Sequence, residues 1–289
     1  MAAGYPDGRV AVVTGAARGV GAAVARELSA RGLRVVLLGR ERETLREVAR
    51  SLPGDSYSLE ADVTDEAAMR EVARSSAAHF GPASVVVANA GIAVAGPFSG
   101  CDAALWNRVI EVNLSGSATT ARVFLPQLVR TRGYLLQVAS TAAFGSAPMM
   151  SAYCASKAGV ESFAQALRAE VEPDGVGVGI AYLHWTGTDM IGELDDHVVL
   201  RELRRHQPGP ARRVHDASQV AAWLARGVER RSAAVYAPPW LRLVEPLRPL
   251  LPHLVARAAR RSFAGMSPDE RHRGAGVLGK GGRADWNAG

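Results

Sequence analysis

The sequence predicts an α/β protein with a doubly wound parallel sheet and helices on both faces of that sheet. Three observations support this fold class. Short runs rich in Val, Leu and Ile recur along the chain, segments with apolar residues at helical spacing alternate with them, and a glycine-rich turn follows the first run. Strands that alternate with helices form right-handed βαβ units, and such units build a parallel sheet.

The apolar runs predict seven strands, which lie at residues 9–15, 33–40, 56–64, 83–91, 133–140, 175–184 and 233–239. Most of these runs are apolar without interruption, which is typical of parallel strands that are buried on both faces. The helical spacing between them predicts helices over residues 22–32, 41–52, 65–79, 104–131 and 151–171. Gly32 closes the first of these helices, and Pro53 with Gly54 ends the second.

The domain organisation follows from where this alternation stops. One domain is predicted over residues 1–240, because the chain of 289 residues shows no linker or internal repeat before that point. An extension is predicted over residues 241–289. Its first part, through Phe263, is apolar, basic and punctuated by proline, whereas residues 274–289 are glycine-rich and predicted to be disordered.

Composition excludes several classes of protein. Hydrophobic residues make up 48% of the chain and charged residues 21%, but no apolar run approaches the roughly 20 residues of a membrane span, and no leader is recognised. We therefore expect a cytoplasmic protein in which Cys101 and Cys154 are free thiols. The net charge of +6 comes from dispersed arginines without a zinc-finger or RNA-binding signature, so we expect neither a nucleic-acid partner nor a bound metal.

The glycine-rich turn, TGAARGVG at residues 14–21, is the first candidate site. Gly15, Gly19 and Gly21 stand where a strand becomes a helix, and glycines there permit a tight turn and a close backbone approach. The amino terminus of the following helix favours phosphate. A nucleotide site is therefore predicted, with packing of strand against helix as the alternative explanation of these glycines.

Further motifs follow in a fixed order. They are ANAG at residues 88–91, Asn113, Ser140 and YCASK at residues 153–157. On a helix, the four-residue spacing places Tyr153 and Lys157 on one face. Taken together, over about residues 8–240, these motifs resemble those of the short-chain dehydrogenase/reductase family, whose fold is Rossmann-like.

The resemblance implies catalytic roles. Tyr153 would be the general acid/base, and the charge of Lys157 would lower the pKa of the phenol, which is otherwise near 10. Lys157 would also hold the nicotinamide ribose, and Ser140 would hold the substrate oxygen. Asn113 would bend its helix and support a water that relays protons to Lys157. The alternatives are a turn cap for Ser140 and a purely helix-bending role for Asn113.

The resemblance also implies a cofactor site. Its predicted residues are Gly15, Arg18, Gly19, Val20, Gly21, Arg40, Asp62, Val63, Asn89, Ala90, Gly91, Tyr153, Lys157 and Thr188. Thr186 competes with Thr188 for the contact to the nicotinamide amide. Just before them, His184 and Trp185 replace the Pro-Gly that is usual in the family; His184 is expected to be structural or to line the pocket.

Cofactor choice is predicted from the end of the second strand. An acidic residue there would bind the ribose 2′-hydroxyl of NAD, but this chain has Gly39 followed by Arg40. Arg18 lies in the glycine turn, and two guanidinium groups suit a 2′-phosphate, with no carboxylate expected beside them. The sequence therefore favours NADP(H) over NAD(H).

The predicted function is reduction of a ketone or aldehyde, or oxidation of the matching alcohol, with NADP(H). Apolar residues after Ser140 and Thr188 favour a hydrophobic small molecule as substrate; they are Phe144, Met149, Met150, Met190 and Ile191. The alternatives are an NAD-dependent alcohol dehydrogenase and a non-catalytic NADP-sensing protein. The resemblance implies a homodimer or homotetramer. Residues 240–263 either make a weak membrane contact, cap the pocket, or pack on their own domain or a partner subunit.

Overall fold

The computed structural model describes residues 9–145, 147–196, 201, 204–205, 207, 209–264, 274 and 276–287. Its strands are β1 (Val10–Thr14), β2 (Arg34–Gly39), β3 (Ser56–Glu60), β4 (Val85–Ala88), β5 (Ala93–Ala95), β6 (Tyr134–Ser140), β7 (Gly177–Leu183), β8 (Thr186–Gly187), β9 (His215–Asp216), β10 (Ala234–Ala237) and β11 (Gly276–Leu278). Its helices are α1 (Gly19–Ala30), α2 (Arg42–Arg50), α3 (Glu66–Phe80), α4 (Ala103–Ile110), α5 (Gly116–Thr131), α6 (Ser151–Val171), α7 (Asp189–Asp196), α8 (Ala217–Glu229), α9 (Leu241–Val244), α10 (Leu251–Ala264) and α11 (Gly279–Asn287).

A seven-stranded sheet in the order β10-β7-β6-β4-β1-β2-β3 forms the centre, and all its strands pair in parallel. The predicted fold class is confirmed, since each predicted strand overlaps a strand of this sheet. The chain reverses its direction of growth at β1, which lies between β2 and β4. In such sheets the crevice at the carboxyl ends of the strands beside this switch point is where ligands bind.

The strands are apolar on both sides because helices cover both faces. Every residue of β1 and β4 is buried. Side chains alternate across the sheet, so Val12 packs in the cluster on one face and Val13 in the cluster on the other. Helix α8, which the spacing of apolar residues had not singled out, packs on the second face through Val220, Leu224 and Val228.

Two elements differ from the predictions. The helix expected over residues 104–131 is divided into α4 and α5 by a π-helical turn at Glu111–Ser115. The disorder predicted for residues 274–289 is wrong for residues 276–287, because β11 pairs antiparallel with β5 and continues into α11. Within the described residues, no helix is both long and apolar enough to cross a bilayer.

Candidate active site

The glycine turn between β1 and α1 has no room for side chains. Gly15 and Gly19 adopt φ angles of 63° and 55°, which favour glycine. A Cβ atom at Gly21 would lie 2.1 Å from the carbonyl oxygen of Gly15, and one at Gly15 would lie 2.9 Å from the Cα of Ala90. The turn therefore presents bare backbone at the amino end of α1, as a bound pyrophosphate requires.

Asn89 and Ala90, directly after β4, support this turn. The side-chain amide of Asn89 donates to the carbonyl of Thr14 at 3.0 Å, and the backbone amides of Asn89 and Ala90 both donate to the Thr14 hydroxyl at 3.0 Å. These bonds tie the ends of β1 and β4 together at the switch point. The ANAG motif thus holds the glycine turn in place through hydrogen bonds to Thr14.

A cavity of about 1020 Å³ opens at this edge of the sheet. Every predicted catalytic and cofactor residue lines it except Asn113, which lies behind its wall. Val20, Val63 and Gly91 join the glycine turn on the cofactor side. A cavity of this size is at the upper end of ordinary small-molecule sites, so it accommodates a dinucleotide beside a substrate.

Tyr153 and Lys157 lie on α6 and face the end of β6. Lys157 is only 4% exposed, and its ammonium donates to the carbonyl of Val138 at 2.8 Å. The Ser140 side chain lies close enough to the Tyr153 hydroxyl to lower the pKa of the phenol. Ser140 Oγ also accepts from the amide of Ala142 at 3.1 Å, so its capping role and its contact with Tyr153 coexist.

Burial controls the protonation of this pair. It raises the pKa of Tyr153 to about 12, against the opposing effect of the nearby Ser140 hydroxyl. Burial likewise lowers the pKa of Lys157 to about 8. Burial thus dominates both pKa values, and the lowering of the Tyr153 pKa expected from Lys157 stays a prediction. Tyr153 is a neutral phenol at pH 7 and holds a proton to donate.

Asn113 lies on the π-helical turn and is fully buried. Its side-chain amide donates to the carbonyl of Ile92 and to the Ser156 hydroxyl, both at 2.9 Å, and its side-chain oxygen accepts from the Ile92 amide at 2.8 Å. The helix is therefore irregular at Asn113, and π-helical turns of this kind are frequent at functional sites. The proton relay through Asn113 stays a prediction.

The loop after β7 carries His184 and Trp185. His184 Nε2 donates to the carbonyl of Ala211 at 2.8 Å, so its Nδ1 accepts from the Thr141 hydroxyl at 2.9 Å. Burial lowers the pKa of His184 to about 4, which keeps the ring neutral at pH 7. The ring joins two loops and lines the cavity, as the sequence had suggested.

Thr186 and Thr188 both line the cavity. Thr186 is 5% exposed and donates its hydroxyl to the carbonyl of His184 at 2.9 Å. Thr188 lies over the glycine turn, since its Cγ2 would be 3.2 Å from a Cβ atom at Gly19. Because the Thr186 hydroxyl is already committed, Thr188 is better placed for a ligand contact.

The arginines predicted to bind phosphate are both paired with carboxylates. Arg18 donates to Glu41 through its Nε at 2.8 Å, and Arg40 Nη1 lies 2.5 Å from Asp285 and 3.5 Å from Asp62. The expectation that no carboxylate lies beside them was wrong. Glu41 follows Arg40 in sequence, but Asp285 comes from the carboxyl-terminal segment, which had been expected to be disordered.

Arg108 is a further residue of this region that sequence reasoning missed. It joins Asp62 at 2.7 Å and Asp285 at 2.9 Å, and the hydrogen bond with Asp285 is the main reason that its pKa is raised. Burial raises the pKa of Asp62, but hydrogen bonds from Thr64 and Arg108 outweigh it and hold that pKa below its usual range. No local pattern marks Arg108, because its partners are distant in sequence.

The other end of the cavity is apolar. Of the five apolar residues expected there, Phe144, Met150, Met190 and Ile191 line it, whereas Met149 packs against Met150 outside the lining. The extension adds Trp240, Leu241, Val244, Leu251, Leu254, Val255 and Ala258. Residues 240–258 thus cover this end, which agrees with the capping alternative.

A dinucleotide-sized cavity lined by a partly buried phenol, at the switch point of a Rossmann-like sheet, is the arrangement of a nicotinamide-dependent oxidoreductase. The short chain dehydrogenase family model matches residues 9–198. The chain therefore belongs to the short-chain dehydrogenase/reductase family and is an oxidoreductase acting on CH–OH or C=O groups with NAD(P).

Individual relatives agree with this assignment. A meso-2,3-butanediol dehydrogenase of Serratia marcescens is 30% identical over 76% of this chain and 88% of that protein. An 11-beta-hydroxysteroid dehydrogenase 1A of Arabidopsis thaliana is 31% identical over 91% of this chain and 78% of that protein. The crystal structure of a metagenomic short-chain oxidoreductase in complex with NADP matches with a TM-score of 0.59 and 34% identity, over 61% of this chain and 82% of that one.

Proposed function

We propose that this protein is an NADP(H)-dependent reductase of a ketone or aldehyde on an apolar small molecule. The observation that carries the proposal is the partly buried phenol of Tyr153, which is neutral at pH 7 and lies beside Ser140 in a cavity whose far end is apolar. NADPH, when bound, supplies the hydride. In the direction of alcohol oxidation the same residues act in reverse.

The chain's own residues move the proton. Ser140 and Tyr153 hold the substrate oxygen by hydrogen bonds, which polarises the carbonyl. The Tyr153 hydroxyl then donates its proton to that oxygen as negative charge develops there. Lys157, whose pKa is near 8, is largely protonated at pH 7 and stabilises the phenolate that remains. Asn113, held by Ile92 and Ser156, fixes the backbone beside Lys157 for the proton's return.

The fit of the site to the cofactor is supported by the bare glycine turn. Gly15, Gly19 and Gly21 would lie under the pyrophosphate, and Thr188 would reach the nicotinamide amide. Arg40, with Arg18 across the groove, would hold the 2′-phosphate that distinguishes NADPH from NADH. The NADP complex of the related metagenomic oxidoreductase is consistent with this assignment.

The test is a calorimetric or fluorescence titration with NADPH and NADH of the wild type and of Arg40→Ala. We expect NADPH to bind much more tightly than NADH, and Arg40→Ala to remove that difference. Arg42→Ala is the matched control, because Arg42 is exposed and pairs with Glu60 at 2.5 Å, away from Asp62 and Asp285. Equal binding of both cofactors to the wild type would favour the NAD-dependent alcohol dehydrogenase instead. An NADP-sensing protein would bind NADPH but show no turnover that Tyr153→Phe removes.

A second proposal concerns the outer surface of the extension. Leu243, Leu247, Leu250 and Leu254 are 79%, 51%, 57% and 59% exposed, and the exposed arginines Arg242, Arg257, Arg260 and Arg261 lie beside them. Apolar side chains flanked by cations favour contact with an anionic lipid surface. The same segment lines the apolar end of the cavity, so a lipid-soluble substrate would enter there.

Co-sedimentation with vesicles of phosphatidylserine and phosphatidylcholine tests this contact. The double variant Leu247→Asp, Leu250→Asp should pellet several-fold less than the wild type, and pure phosphatidylcholine vesicles serve as the control. Equal pelleting of both proteins would refute it. The cytoplasmic location and the homodimer or homotetramer stay predictions.

A further inference from the structure

The carboxyl-terminal segment, residues 276–287, lies along the cofactor side of the cavity. Its strand β11 pairs with β5, which begins two residues after Gly91. Leu278 is 1% exposed and packs in the apolar cluster that includes Met150 and Tyr153. At the start of α11, the amide of Gly279 donates to Glu193 at 2.7 Å. The segment is therefore attached beside the catalytic residues.

The segment reaches the opposite end of the cofactor side through Asp285. This residue is 6% exposed, and its carboxylate accepts from Arg108 through Nε and Nη2, both at 2.9 Å, and from Arg40 Nη1. Its backbone carbonyl accepts from the same Arg40 atom at 3.0 Å. The carboxylate thus lies between two guanidinium groups in a largely buried position.

In the proposed function, Arg40 binds the 2′-phosphate of NADPH. A phosphate and a carboxylate both accept hydrogen bonds from the same N–H groups of a guanidinium. They do not share it readily, because two anions brought together in a partly buried site repel each other strongly. NADPH and Asp285 are therefore alternatives at Arg40, whereas NADH, which has no 2′-phosphate, leaves the pair undisturbed.

We propose that Asp285 determines cofactor specificity by competing with the 2′-phosphate of NADPH for Arg40. The inference rests on the proposed NADP(H) function and deepens it. The competitor is tethered, so its effective concentration at Arg40 is high whatever the concentration of protein. NADPH must displace Asp285 on binding, so the preference for NADPH over NADH should be smaller than the arginines alone would give.

The decisive experiment is a binding titration of Asp285→Asn with NADPH and with NADH. The variant removes the competing charge but keeps a side chain of the same size. We expect NADPH to bind about tenfold more tightly and NADH to change less than about twofold, a difference near 1.4 kcal/mol. Asp55→Asn is the matched control, because Asp55 is exposed and precedes the amino end of β3, whereas Arg40 follows the carboxyl end of β2.

Two other outcomes would overturn the inference. Weaker NADH binding with unchanged NADPH binding would mean that Asp285 receives the ribose hydroxyls. No change with either cofactor would mean that Asp285 only fastens the segment. The variant Arg40→Ala shows whether a negative result concerns Asp285 or the proposed function itself. If Arg40 does not bind the 2′-phosphate, Arg40→Ala will leave NADPH binding unchanged, and the proposed function fails. If Arg40→Ala weakens NADPH binding but Asp285→Asn has no effect, only the inference about Asp285 fails. In the double variant, Arg40→Ala should abolish the gain from Asp285→Asn.

Hydrogen–deuterium exchange of the wild type gives a readout that does not depend on a variant or on turnover. Displacement of Asp285 should loosen α11, so saturating NADPH should speed exchange in residues 276–287 several-fold. Saturating NADH should not. Slower exchange with NADPH would show that the segment closes over the cofactor with Asp285 in place, and the inference would then be wrong.

Discussion

Lys157 lies beside Tyr153 without contacting its hydroxyl: the ammonium is 5.8 Å from the centre of the Tyr153 ring and donates to the carbonyl of Val138. Lys157 is buried and Tyr153 is partly buried, so each favours its neutral form. At pH 7 only Lys157 holds its charge against this cost. Lys157 is therefore testable by stability as well as by rate, whereas Tyr153 is testable by rate.

Tyr153→Phe should reduce turnover by roughly 10²–10⁴-fold, the usual contribution of a general acid. The variant loses one hydroxyl, which lies beside Ser140. NADPH binding should change little, because in the proposed mechanism the phenol contacts the substrate oxygen. Initial rates of NADPH oxidation with a panel of apolar ketones, together with an NADPH titration, would check both parts. Retained turnover would rule out Tyr153 as the proton donor.

Lys157→Met should stabilise the fold while lowering turnover. The shift of the Lys157 pKa from 10.5 to about 8 corresponds to a cost of roughly 3 kcal/mol at pH 7. Loss of the hydrogen bond to Val138 offsets about 1 kcal/mol of the gain. The free energy of unfolding should thus rise by about 2 kcal/mol, measured by denaturant titration. The gain should shrink between pH 8 and 10.5, where folded wild type has lost the Lys157 proton and no longer bears the cost.

The central sheet and the common helix face of Tyr153 and Lys157 were predictable because local patterns encode them. The uninterrupted apolar residues of β1 indicate burial on both faces, and the spacing of Tyr153 and Lys157 fixes their common helix face. A bend at Asn113 was implied only by the resemblance, and the π-helical turn that divides the helix there was not predicted. It depends on bonds to Ile92 and Ser156, which are distant in sequence.

The order of the carboxyl-terminal segment was not predictable, because it too depends on contacts between residues that are distant in sequence. Residues 276–287 are rich in glycine and have no apolar period, so local rules favour disorder. Pairing of β11 with β5 and the bonds from Asp285 to Arg40 and Arg108 supply the order instead. Asp285 and Arg40 are 245 positions apart, and no motif spans that distance.

His184 should make stability fall in mild acid. Its folded pKa near 4 is below the ordinary 6.5, so between these values the unfolded chain binds a proton that the folded protein refuses. Between pH 7 and pH 5, His184 should lower the free energy of unfolding by about 2 kcal/mol. His184→Gln should remove that part of the pH dependence in urea titrations. His253→Gln, at an exposed position, should leave it intact; equal pH slopes for wild type and His184→Gln would contradict the assignment.

Gly21→Ala should weaken NADPH binding by at least about 100-fold, since the turn must open to admit the methyl group. The new Cβ atom would lie 2.1 Å from the Gly15 carbonyl and 2.6 Å from the Asn89 side-chain nitrogen. Calorimetry would measure the loss, and circular dichroism would report whether the sheet persists. Gly192→Ala is the control: it lies in α7 with open space around it, and it should bind NADPH normally.

Arg248 should prove to be the residue that fastens the extension to the core. It binds Glu161 through two bonds of 2.5 and 2.7 Å, and Glu161, 5% exposed, also accepts from Tyr182 at 2.6 Å. Arg248→Met leaves this carboxylate buried without a cation, which should cost roughly 3 kcal/mol of unfolding free energy.

The double variant Glu161→Gln, Arg248→Met provides the control for that loss, because it removes the uncompensated charge together with its partner. It should recover most of the stability in urea titrations, as neutral replacements of buried ion pairs often do. Because Arg248 also lies over the Phe144 ring, at 4.8 Å, the single variant should raise the KM for apolar ketones as residues 240–258 loosen over the cavity. Additive losses in the double variant would mean that Arg248 and Glu161 act independently.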